Sequence, residues 1–199
     1  MSGIVEFFQL VVLFAVIFDP PASFMVFVSA LPHATNREKK LIAAYAVSLA
    51  FSLSFLVLLF GERLLYLFST SIDEFRIAGG IILGILGIRM VLGSPLMNLD
   101  KEKKTSGNAV AAIIATPLLT GPAAITTIII ASGDFGILLT GLAVFTVLAL
   151  TGAMFYFSSF FEKVLSRTAV QIISTILGLI TISWGVSMIT TGIKAIFFL

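Results

Sequence analysis

Phe18-Asp19-Pro20-Pro21-Ala22-Ser23 lies inside an apolar run that extends from about residue 4 to residue 31. A proline in a helix interior removes a donor, clashes with the carbonyl four residues back and costs about 3 kcal/mol or more. Two in succession interrupt any helix laid across this run. Residues 4–17 still cover ~21 Å as helix, and residues 23–31 another ~13 Å, at about 1.5 Å per residue. Together with the break they suffice to cross a hydrocarbon layer of ~30 Å. The stretch therefore reads as one membrane span built from two half-helices. Asp19 is placed to cap the second, and Pro20 to be its first residue.

Five more runs of spanning length follow, at about 41–67, 75–93, 108–132, 136–159 and 168–198. Short polar dividers at 32–40, 69–74, 94–107, 133–135 and 159–167 separate them. The chain is 59% hydrophobic and 11% charged, against roughly 25% charged in soluble domains. A soluble core of this size cannot take up such a surplus, so it must face lipid. The expectation is an all-α membrane protein, one transmembrane domain over 1–199. A net charge of +2, with the basic residues scattered between apolar runs, excludes nucleic acid as a partner. Without cysteine there is no disulfide, thiol chemistry or thiolate metal site. The single His33 stands in a polar connector and has no second histidine with which to bind a metal. Residues 1–18 lack a basic n-region, and Phe18-Asp19-Pro20-Pro21 is a poor cleavage site, so they read as span and not as signal peptide.

The basic residues set the orientation. Arg37, Lys39, Lys40, Arg89, Lys101, Lys103, Lys104, Lys163 and Arg167 fall on one side, and Arg63, Arg76 and Lys194 on the other. Nine against three puts both termini outside a cell membrane, with connector 94–107 in the cytoplasm.

The chain also resembles itself at a spacing of about one hundred residues. Asp19-Pro20-Pro21-Ala22-Ser23 in span one matches Thr120-Gly121-Pro122-Ala123-Ala124 in span four. Glu62-Arg63-Leu64-Leu65 matches Glu162-Lys163-Val164-Leu165. Glycines then follow in span three (Gly79, Gly80, Gly84, Gly87) and in span six (Gly178, Gly185, Gly192). Three spans per half is an odd number, so the halves, 1–93 and 108–199, must enter the membrane from opposite sides. The architecture expected is six helices as two inverted three-helix repeats, helices 1 and 4 discontinuous, a construction common among secondary transporters.

Broken spans leave backbone groups that hydrocarbon cannot satisfy. Thr120 reads as the N-cap of the second half of span four, with Gly121 and Pro122 following. Each second half-helix starts with open N–H groups and partial positive charge. Donors from Ala22, Ser23, Gly121 and Ala123 suit a carboxylate, and Asp19 with the carbonyls around 15–18 and 116–119 suits an ammonium. Hydroxyls of Ser23, Thr120, Thr126 and Thr127 complete a polar lining, and the small side chains of Ala22, Gly121, Ala123 and Ala124 leave room for a small zwitterion. The candidate substrate site is thus Asp19, Pro20, Pro21, Ala22, Ser23, Thr120, Gly121, Pro122, Ala123, Thr126 and Thr127. Asp19, an acidic group deep in a span, is a functional candidate by default. It is the residue for a coupling ion, either by taking up a proton or by holding Na⁺ with neighbouring carbonyls. No cofactor and no resident metal are called for.

With these residues the chain resembles the MarC family of integral membrane proteins over essentially its whole length. The resemblance rests on Asp19-Pro20-x-Ala-Ser with Phe27, on Phe75-Arg76-Ile77-Ala78-Gly79-Gly80, and on Thr116-Pro117-Leu118-Leu119-Thr120-Gly121-Pro122-Ala123-Ala124-Ile125. The first and last resemble the family's D-P-x-G-x-x-P and P-L-x-x-G-P-G patterns. Ala22 and Ala123 stand where the family usually has glycine, and Met25 where it has proline. The resemblance implies cation-driven uptake of glycine, alanine and similar amino acids, and no enzymatic activity. An exporter or channel for another small solute is the alternative. An intramembrane hydrolase acting through Asp19 or Ser23 would need a second catalytic group beside them, and a non-transporting scaffold would give the half-helix ends no role. Homo-oligomer formation is open.

Three further readings concern packing. The glycines of span three share a helical stripe suited to close approach. Arg76 reads as an interfacial residue snorkelling outward, and Trp184 as a packing residue in the core or against lipid.

Overall fold

A computed structural model of the chain describes residues 2–93 and 119–197. Connector 94–107 and the first part of span four, residues 108–118, lie outside the described residues. All regular structure among the described residues is helical. The helices are α1 (Ser2–Phe18), α2 (Pro20–Ala30), α3 (Asn36–Leu67), α4 (Ile72–Val91), α5 (Pro122–Phe135), α6 (Ile137–Tyr156), α7 (Ser158–Val164) and α8 (Arg167–Phe197). Among the described residues four stretches are long and apolar enough to cross a membrane: Gly3–Ala30, Asn36–Leu67, Ile137–Tyr156 and Thr168–Phe197. Helix α4 has the length but carries Asp73, Glu74, Arg76 and Arg89, and α5 is a shorter apolar helix.

Local chemistry explains most of the ends. Span one is broken at a single residue, Asp19, which adopts the left-handed conformation (φ 38°, ψ 68°) between α1 and α2. Helix α3 begins five residues before the expected 41 because Thr35 and Glu38 form a capping box: Thr35 N–H donates to Glu38 Oε2 at 2.7 Å, and Glu38 N–H to Thr35 Oγ1 at 3.3 Å. Ser71 and Glu74 repeat the device at the start of α4. Each satisfies two donors that a helix start leaves open. Thr35→Ala is expected to lower stability by about 1 kcal/mol, read as an earlier unfolding midpoint in detergent.

Two expected dividers are instead helical. Residues 133–135 form the last turn of α5, and the turn falls on Gly136 alone, at φ 82°. Gly136 supplies the positive φ that lets α6 restart at once. In 159–167, Ser158–Val164 forms α7.

Buried positions on α3 recur every three or four residues, at Lys39, Ala43, Ala46, Ala50, Ser54, Leu58, Gly61 and Leu65. That is one stripe of a 3.6-residue period, and its small residues admit α6. Val47 meets Gly152 and Leu58 meets Gly141, so the two helices run antiparallel. Helices α4 and α8 are also antiparallel and more intimate. Gly80 faces Gly185, Gly87 faces Gly178, and Gly192 faces the backbone of Asp73. The glycine stripe read from the sequence is a packing surface here, although a Cβ added at Gly84 would meet nothing within 4 Å.

Helix α5 is the core element. Nearly every residue from Ala123 to Ser132 is buried, the mark of a helix enclosed on all sides. Outward faces carry large apolar side chains, among them Leu56, Leu59 and Phe60 on α3 and Ile172, Ile176 and Leu179 on α8. An apolar exterior of that extent belongs in lipid.

Candidate functional site

The break in span one is built from its own residues outward. Asp19 is 2% exposed. Its Oδ1 accepts the Ala22 N–H at 3.3 Å, the N-cap bond expected of it. Its Oδ2 accepts the hydroxyl of Ser174 on α8 at 2.8 Å. Ser174, itself buried, was missed by sequence reasoning: a serine in an apolar run signals a polar contact without naming the partner. Because α8 is the last span, this bond ties the first break to the far end of the chain.

The backbone around this break is less open than the sequence suggests. Asp19 N–H donates to Ala15 O at 3.1 Å, and Ser23 N–H to Asp19 O at 2.9 Å. Ser23 Oγ donates to Phe18 O at 2.7 Å. The Ala22 and Ser23 donors and the Ala15 and Phe18 carbonyls, expected to face a ligand, are thus engaged within the chain. A single left-handed residue lets the helix ladder nearly close across the break, which two prolines in a row do not predict. What the first break presents is a buried carboxylate. Pro20, Pro21 and Ala22 around it are partly exposed.

The start of α5, where the sequence reading puts the second break, is the more open of the two places. Its N-cap is Gly121, not Thr120, and Gly121 provides no side-chain bond to the first turn of α5. Pro122 has no N–H, so Ala123 and Ala124 open the helix without a side-chain cap. Thr120 is 2% exposed and its hydroxyl has no hydrogen-bond partner among the described residues. A buried orphan hydroxyl beside an uncapped helix start is costly unless something polar joins it. Thr126 and Thr127 donate to the Pro122 and Ala123 carbonyls at 2.7 and 2.8 Å, which leaves their oxygens free to accept. Gly121 and Ala123 are buried, and Pro122 is exposed. Phe18, before the first break, and Leu119, Ala123 and Ala124, around the second, belong to one buried cluster.

A cavity of about 430 Å³ opens at another place, between α1, α4, α5 and α8. Thr127 is the one residue of the sequence-derived site on its wall. Arg76 and Asp134 also line it, joined by a forked ion pair with Arg76 Nη1–Oδ2 at 3.0 Å and Nη2–Oδ1 at 2.7 Å. Arg76 is therefore paired with Asp134 at the exposed end of the cavity, a partner the sequence reading did not give it. Trp184 is on the same wall, not simply packed in core or lipid. On the opposite face Lys39 Nζ meets Glu162 Oε1 at 2.6 Å, and Ser159 Oγ donates to Asn36 Oδ1 at 2.9 Å. That strap fastens the start of α3 to α7. Among the described residues no three His, Asp or Glu side chains gather as a metal site.

Across residues 4–197 the sequence matches the MarC family of integral membrane proteins. The chain belongs to this family. It is similar to the UPF0056 membrane protein of Buchnera aphidicola subsp. Baizongia pistaciae (strain Bp), at 32% identity over 92% of this chain and 89% of that one. It is also similar to UPF0056 membrane protein YhcE of Escherichia coli (strain K12), at 30% identity over 93% and 90% of the two chains. UPF0056 membrane protein YvbG of Bacillus subtilis (strain 168) is 30% identical over 90% of each. No solved structure matches. As a MarC-family chain with several apolar spans, the protein is a multi-pass membrane protein.

Proposed function

We propose that this MarC-family protein is a secondary active transporter of small neutral amino acids, of the glycine and alanine type, working by alternating access. The observation that carries the reading is the pair of unlike helix starts, α2 and α5. One holds a buried carboxylate, Asp19, bonded to Ser174. The other offers an uncapped helix start beside the unpartnered hydroxyl of Thr120. An acid in one place and a positive helix end in another suit the two ends of a zwitterion. The proposed site is Asp19 to Ser23 with Thr120 to Ala123, Thr126 and Thr127. Asp19 is the coupling residue, for H⁺ or Na⁺.

Six spans in two inverted repeats, 1–93 and 108–199, belong to the same proposal. Support comes from corresponding helices that pack antiparallel: α4 on α8 through matched glycines, and α3 on α6. Nine basic residues against three favour termini outside the cell membrane. The protein acts without enzymatic chemistry.

The test is uptake of labelled glycine or alanine into proteoliposomes, with pH and Na⁺ gradients imposed in turn. Accumulation against a concentration gradient, driven by one of the two, is the expected result. Flux that only equilibrates would mean a channel, and no flux of either amino acid would overturn the reading.

A further inference from the structure

Arg76 and Asp134 form the charged end of the 430 Å³ cavity, in the volume range that small-ligand sites occupy. Their pair is unusual for a plain structural strap. The Arg76 side chain is only 14% exposed, yet its Nε has no hydrogen-bond partner among the described residues, with Asp73 Oδ1 at 3.7 Å. One donor of a nearly buried guanidinium is thus unspent. Away from the pair the wall carries the hydroxyls of Thr127, Ser187 and Thr191 and the indole of Trp184.

We infer that this cavity is a second binding subsite, one that takes a zwitterion by exchange. The ligand carboxylate replaces Asp134 on the Arg76 fork, and the ligand ammonium takes Asp134. Charge counting selects that class of ligand. An anion would satisfy Arg76 and leave Asp134, 38% exposed, without its partner, while a cation would leave the Arg76 guanidinium, 14% exposed, without its own, the costlier loss of the two. A dipolar ligand turns one ion pair into two and leaves no charge alone. Fork geometry suits a carboxylate, which a guanidinium binds through two parallel bonds. Thr127, on α5 one turn beyond the uncapped helix start, places the subsite on the approach to the second break. The inference rests on the transport reading only for the identity of the zwitterion as an amino acid.

Trp184 is the single tryptophan of the chain, so its fluorescence reports on this wall. Purified protein is titrated with glycine, alanine, acetate and methylammonium. A saturable change with glycine or alanine, absent with acetate or methylammonium at the same concentration, is expected. Arg76→Gln and Asp134→Asn should each weaken it by at least about tenfold, with helical content checked by circular dichroism. Arg76→Lys, which keeps the charge and loses the fork, should fall between. Gly84→Ala should titrate as the unaltered protein does, because an added Cβ there meets nothing within 4 Å and the residue lies off this wall. No fluorescence response to either amino acid, or an equal response in Arg76→Gln, overturns the subsite. Uptake in proteoliposomes without a Trp184 response sinks the subsite and leaves transport standing. A Trp184 response without uptake does the opposite.

Discussion

Asp19→Asn is expected to leave the protein folded and to abolish gradient-driven accumulation of glycine or alanine, while Asp19→Ala unfolds it at markedly lower temperature. The two outcomes separate two jobs held by one side chain. Asp19 sits at φ 38°, a region that Asn and Asp tolerate and that costs most other residues about 1–2 kcal/mol. Asparagine keeps an amide oxygen for the Ala22 N–H or the Ser174 hydroxyl and removes only the charge. Alanine loses the cap, strains the backbone and leaves Ser174 with a buried unsatisfied hydroxyl. Each of those effects is worth about 1–2 kcal/mol, so alanine should cost on the order of 3–6 kcal/mol. Thermal unfolding in detergent measures that term. Function is read in proteoliposomes as accumulation and, separately, as exchange of labelled for unlabelled amino acid. Accumulation lost with exchange retained assigns Asp19 to the coupling ion. Both lost assigns it to the substrate. Unaltered accumulation in Asp19→Asn would reduce the residue to a helix cap and remove the coupling argument.

The position of that break was legible because it is written in local chemistry. Asp19-Pro20-Pro21 can be read as a cap and a first turn without knowing anything else in the chain. The limits of α3 and α4 were equally local, since Thr35-x-x-Glu38 and Ser71-x-x-Glu74 are capping boxes that a search for the pattern finds. Gly121 at the second break was harder, because Thr120 is the better cap by preference and only its burial without a partner shows that it does not serve. Contacts distant in sequence could not be read at all. Nothing in Ser174 names Asp19, and nothing in Arg76 names Asp134, since these meetings depend on how whole helices lie against each other. The engaged carbonyls of Ala15 and Phe18 follow from one left-handed residue, a conformation that the prolines beside it do not announce.

Gly87→Leu is expected to prevent assembly of the folded protein, and Gly84→Ala to leave it unchanged or slightly more stable, although both residues lie on the same glycine-rich helix. The contrast follows from direction, not composition. A Cβ at Gly87 would stand 2.6 Å from the Gly178 carbonyl oxygen and 2.7 Å from Ile182 Cγ1, and one at Gly80 would stand 2.5 Å from the Gly185 oxygen. Backbone cannot rotate away as a side chain can, so α4 and α8 must separate. In lipid no hydrophobic force pulls two apolar helices together. Their contact depends on close van der Waals packing and weak Cα–H···O bonds, both of which fall off steeply with separation. Alanine at Gly87 should cost about 1–3 kcal/mol, as overpacking does, and leucine should exceed what the interface can yield. At Gly84 a Cβ meets nothing within 4 Å, and alanine improves helix propensity by up to about 1 kcal/mol. Yield of monodisperse protein and its unfolding temperature in detergent measure both. If Gly87→Ala and Gly84→Ala behaved alike, the α4–α8 contact would have to be looser than the glycine-to-carbonyl distances state, and the antiparallel pairing that supports the inverted repeat would lose its footing.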